Sequence, residues 1–138
     1  FISFGIAAIL GNLTMGYVSD HFGRSKVSMF SVFITGVGLA LLSLLPFLSE
    51  IIYISSFLTG FGYAGGILAL IAWLIDVSDI NNRTTVLSVQ ESSMDISIGI
   101  GSLLVGISST WIGLGVSFGV VGLAVLLLLP VLVKLRHS

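Results

Sequence analysis

Two carboxylates four residues apart, Glu91 and Asp95, stand in a stretch made mostly of Val, Leu, Ile, Met, Ser and Gly. At about 100° per residue of helix, they share a stripe roughly 100° wide with Ser88, Ser92, Gly99, Ser102 and Gly106. Acids one helical turn apart project from one face. Such a pair can bind a cation, or take up and pass on a proton, because a carboxyl group withdrawn from water favours its neutral form. The other charges cluster as well. Asp20, His21, Arg24 and Lys26 fall in the short polar island Gly16–Lys26, and Asp76, Asp79 and Arg83 fall in a second one. Six acids and five Lys or Arg are all the chain contains.

What surrounds these groups decides their chemistry. The chain of 138 residues is 56% hydrophobic and 8% charged, with mean hydropathy +1.19. Soluble domains carry roughly 25% charged residues, and a small one leaves too much surface exposed to hide this apolar content. Lipid is therefore the expected solvent for most side chains. No basic tract points to nucleic acid. With no cysteine there is neither disulfide nor thiolate metal site. The chain opens Phe-Ile-Ser-Phe-Gly-Ile, inside an apolar run and without a basic leader, which is not a signal peptide. The expectation is a fragment with its upstream part missing.

A membrane-spanning helix needs about 20 apolar residues. Five segments qualify, at about 1–19, 27–48, 51–75, 84–108 and 111–133. The expected fold is all-α, a polytopic membrane bundle forming one partial transmembrane domain. Strict alternation puts all five Lys and Arg at one side: Arg24 and Lys26, Arg83, and Lys134 and Arg136. The positive-inside rule then assigns loops 20–26 and 76–83 and the C-terminus to the cytoplasm. Tyr53 and Trp111 fall near the outer interface, and Tyr17 and Trp73 near the inner one.

Glycines recur along the spans, with Gly62/Gly66 and Gly115/Gly119 four apart. Small residues at that spacing let membrane helices approach closely, and packing within one protein accounts for them. Pro46 and Pro130 lie near expected helix ends, where a missing backbone donor costs least.

A charged group at mid-membrane costs about 2.5–3.5 kcal/mol or more, so it must face a cavity or a partner helix. At about 1.5 Å rise per residue, Asp95 lies roughly 16 Å past Thr84 and Glu91 roughly 10 Å. Asp95 is the candidate proton- or cation-responsive group and Glu91 a relay or substrate contact. A structural acid, hydrogen-bonded across a helix interface, is the competing reading. Asn12 is a further substrate-contact candidate, set against a plain interhelical hydrogen bond.

The island resembles the loop signature of the major facilitator superfamily of transporters, roughly Gly-x-x-x-Asp-Arg-x-Gly-Arg-Arg/Lys. Gly16, Asp20, Gly23 and Arg24 match at the right spacing, His21 replaces the first basic residue, and Ser25-Lys26 loosens the basic end. Gly16 would let one helix end lie against a neighbour, Gly23 would make the reversal, and Arg24 offers a planar fork for a carboxylate. Asp20 is expected to face the start of the fourth helix. A second stretch, Arg83 to Gly101, is similar to the eleventh helix of exporters in that superfamily through Asp95, Gly99 and Gly101.

The resemblance implies one six-helix half. Without an Arg in the third segment or a Pro in the fourth, helices 8–12 fit better than 2–6, and the tail Leu135–Ser138 would be a native C-terminus. It also implies a latch in which Arg24 pairs with Asp76, or with Asp79 as substitute, against the plainer reading of solvated loop charges. The function implied is secondary transport by alternating access, as a proton-coupled exporter of small molecules. Proton-coupled uptake and a non-transporting receptor or scaffold are the alternatives. Expected partners are the lipid bilayer, the other half of the transporter, a small-molecule substrate and protons. No Ser/His/Asp constellation suggests an enzyme, and no cofactor is expected.

Overall fold

The structure, a computed structural model, describes residues 1–136. The readings that fall on His137 and Ser138 lie outside them. Five α-helices follow one another: α1 (Ile2–Phe22), α2 (Arg24–Leu41), α3 (Ile51–Val77), α4 (Arg83–Ile112) and α5 (Leu114–Arg136). No strand occurs among the described residues. Two 3-10 turns, Leu42–Leu44 and Ile80–Asn82, lead out of α2 and into α4.

Two breaks are as short as a chain permits. Gly23 alone separates α1 from α2, at φ 95° and ψ 126°, and Gly113 alone separates α4 from α5, at φ 82° and ψ 155°. Residues with a Cβ rarely adopt such angles. The first reversal falls inside the expected polar island. The second lies at Gly113 rather than at Ser109-Thr110, because α4 runs on through both residues to Ile112. The second expected segment shortens instead: α2 ends at Leu41, and Pro46 lies in the irregular stretch before α3. Pro130 is inside α5 rather than near its end. Membrane helices tolerate such a proline where neighbours satisfy the freed carbonyl.

Packing follows an inside-out rule. Most of the buried residues are small or hydroxylic: Ala7, Ala69, Ser31 and Ser55 are each 0% exposed, and Ser117 2%, with Met15 and Val27 the larger exceptions. Large apolar side chains point outward, among them Trp111, Leu127, Leu13 and Ile98. Water would penalise that arrangement, whereas lipid does not, and helices in lipid associate through close backbone approach. The glycines make the approach. A Cβ on Gly60 would lie 2.5 Å from the Phe4 carbonyl oxygen where α1 crosses α3. One on Gly62 would lie 2.5 Å from Thr35 Oγ1 between α2 and α3. One on Gly119 would lie 2.5 Å from Ser43 Cβ beside α5. Across the α2–α3 seam, Ser55 Oγ donates to the Gly38 carbonyl at 2.5 Å.

The helix α4 departs from this pattern. It packs mainly on α5 and lightly on α3, and none of its residues is buried. A Cβ at Gly99, Gly101 or Gly106 would meet nothing within 4 Å.

Candidate functional site

The one-residue turn at Gly23 sets Arg24 as the first residue of α2, beside the last turn of α1 and the last turn of α3. From there its guanidinium reaches both neighbouring helices, α1 and α3. Nη1 donates to Asp76 Oδ1 (2.8 Å) and to the Ala72 carbonyl oxygen (2.8 Å), both on α3. Nη2 lies 3.4 Å from Asp20 Oδ1 on α1. A planar fork suits this divided role better than an ammonium would. Around the junction is an opening of about 470 Å³ lined by Asp20, Arg24, Ser25, Lys26, Trp73 and Asp76.

The remaining residues of the two islands fall differently. Asp20 is in the last turn of α1 and pairs with Arg24, not with the start of α4: a four-residue separation across the turn brings it within reach first. Asp79 is exposed and holds the 3-10 turn, its carbonyl accepting from the Asn82 N–H at 2.9 Å. Arg83 begins α4 half-buried, and its Nε is buried without a hydrogen-bond partner among the described residues. Lys26 lines the opening without an ion pair there. Gly16 lies against α3, where a Cβ would approach Leu68 Cδ2 to 3.1 Å. His21 Nδ1 donates to the Tyr17 carbonyl oxygen at 3.0 Å, with the two rings 4.5 Å apart.

Glu91 and Asp95 are exposed on α4 and make no ion pair or side-chain hydrogen bond to another described residue. The interhelical hydrogen bond of the structural-acid reading is therefore not made within this bundle. Toward the cation-free end, the same side of α4 borders a groove of about 630 Å³, with Ile98, Ser102 and Val105 facing Thr35 on α2 and Tyr63 on α3. Asn12 is exposed midway along α1, on a second, smaller groove of about 280 Å³ against Tyr63 and Ile67.

Tyr63 has no counterpart among the expected site residues. It stands in an apolar run and belongs to no motif, and only the approach of α1 and α4 to α3 sets it between the two grooves.

Four helices are long and apolar enough to span a membrane, and the described stretch of α5 through Pro130 is apolar though shorter. With small residues inside and large apolar ones outside, they define a multi-pass membrane protein. The sequence model of the Major Facilitator Superfamily matches residues 1–138, and the chain belongs to that superfamily of transporters. No curated protein and no solved structure matches the chain.

Proposed function

We propose that these helices are positions 8–12 of a proton-coupled exporter of small molecules, working by alternating access in the cell membrane with the Arg24 end toward the cytoplasm. The observation that carries this reading is α4. It sets Asp95 near the middle of an apolar helix and Glu91 one turn nearer its Arg83 end, and gives neither a partner in the bundle. Lipid cannot host an ionised acid at that depth cheaply, so the stripe belongs on a water- or substrate-filled path. There Asp95 takes up the coupling proton and Glu91 relays it or contacts substrate. Transporters of this architecture bind near mid-membrane and rock one half against the other.

The Arg24 junction supplies what rocking needs at one end. Its bonds close α1, α2 and α3 together, yet Asp76 remains half in solvent, with its side chain 53% exposed. A contact of that kind is worth about 1 kcal/mol or less and opens readily. Gathering of the cations at one end supports the cytoplasmic assignment.

The test is a proteoliposome assay of the intact transporter, reading substrate-induced proton movement with an internal pH dye. Wild type should move protons out of phase with substrate, and Asp95→Asn should abolish proton movement. Unchanged coupling in Asp95→Asn would remove the proton role, and protons moving in phase with substrate would identify uptake by symport.

A further inference from the structure

We propose that Asn12 and Tyr63 form the hydrogen-bonding contact for an uncharged substrate that carries a hydroxyl or carboxamide group. This deepens the transport reading above and rests on it for location. It stands on four observations of its own.

Both residues are at mid-height. Asn12 lies ten residues before the end of α1, and Tyr63 fourteen before the end of α3, which is roughly 15 and 21 Å along the helix axes. Both border the smaller groove, and Tyr63 also borders the larger one. The Phe4 ring, 6.5 Å away and tilted, flanks it on the α1 side.

Both polar groups are also unclaimed. Thr14, two residues beyond Asn12, satisfies its hydroxyl on the Leu10 carbonyl at 2.6 Å. Asn12 and Tyr63 make no side-chain hydrogen bond to any described residue, and Tyr63 is 41% exposed. Lipid offers such groups nothing, and an unpaired amide or hydroxyl in an apolar medium costs several kcal/mol.

The chemistry of the contact follows. A carboxamide and a phenol each both donate and accept. They match a ligand group that does the same, as a hydroxyl or carboxamide does. Among the described residues, no Asp, Glu, Lys or Arg lines either groove. A carboxylate or ammonium seated there would lose its hydration without gaining a counter-charge. The remaining lining is largely apolar, so the body of the ligand is apolar as well.

Four dansyl sulfonamides that share one fluorophore test this. They end in hydroxyethyl, n-propyl, a carboxylate (dansylglycine) or an ammonium (dansyl-ethylenediamine). Each is titrated at equilibrium into the intact transporter in nanodiscs, with emission excited through protein tryptophan and empty nanodiscs as baseline. The hydroxyethyl probe should bind more tightly than either charged probe. Tyr63→Phe and Asn12→Leu should each weaken it about three- to tenfold, the worth of one hydrogen bond, while the propyl probe binds unchanged and certifies the fold. Equal affinities across the four probes, preference for a charged one, or loss of both neutral probes together in Tyr63→Phe would overturn the proposal. So would variants that leave the hydroxyethyl probe unaffected. The measurement involves no proton gradient, so it can fail while Asp95-dependent coupling stands, and the reverse.

Discussion

Arg24 Nη1 is 2.8 Å from Asp76 Oδ1, across 52 residues of sequence and from one helix to another. Each charge in this junction sits at the end of its own helix that the macrodipole disfavours. Asp20 and Asp76 are in the last turns of α1 and α3, and Arg24 is in the first turn of α2. Alone, each would weaken its helix by about 0.3–1 kcal/mol. Together they cancel one another, so the arrangement makes sense only as a contact between helices.

Charge exchange follows from that geometry. Arg24→Asp and Asp76→Arg should each impair transport, and the double exchange should restore much of it. The pair is partly exposed, so its contribution is screened: the shift in open–closed balance on removing it should be about fivefold or less and should shrink in high salt. Distances between spin labels on α1 and α3 in the intact transporter would report it. A double exchange as impaired as the single ones would refute the latch.

Gly23→Ala should destabilise the protein by about 1–3 kcal/mol, because no L side chain is at ease at φ 95°. Open space surrounds the position, so the effect should be the same for Ala and for larger residues. Thermal unfolding in detergent, followed by circular dichroism, distinguishes this from a steric clash, whose cost would grow with side-chain volume.

Two other glycines should behave oppositely. Gly60→Ala drives a methyl against the Phe4 carbonyl and should cost about 1–3 kcal/mol. Gly101→Ala meets nothing in this bundle and should stay within about 0.5 kcal/mol. A large penalty at Gly101 in the intact transporter would show that further protein covers α4.

Ser55→Ala removes the only hydroxyl donating across the α2–α3 seam to Gly38 among the described residues. Membrane helix hydrogen bonds are worth about 0.6 kcal/mol on average, so the loss should be of that order. Ser55→Val should cost more, since the site is fully buried and the added methyls have no room.

Much of the bundle was legible because its signals are local. Apolar runs mark the spans and a glycine beside charges marks the first turn, whereas the Arg24–Asp76 pairing, across 52 residues, rests on the family resemblance. What escaped depends on distance in space. The sequence reading sends Asp20 to a remote helix, whereas in space Arg24, four residues on, is its partner. Hydropathy could not separate α2 from the 3-10 turn and loop after it, because Leu42, Leu44 and Leu45 are as apolar as the helix. Tyr63 carried no periodic or charge signal at all. The stripe on α4 was plain in the sequence, but its lack of a partner inside the bundle appears only once every neighbouring helix has been placed.

The two single-glycine turns have a mechanical consequence. A joint of one residue holds the ends of its two helices together, so α1–α2 and α4–α5 can change their angle only at Gly23 and Gly113. Further play exists only in the longer joints on either side of α3, residues 42–50 and 78–82. The helices α1 and α2 each pack far more extensively on α3 than on each other. In the latch proposed above, release of Asp76 by Arg24 would therefore loosen one end of a three-helix unit, not free α1 and α2 from α3.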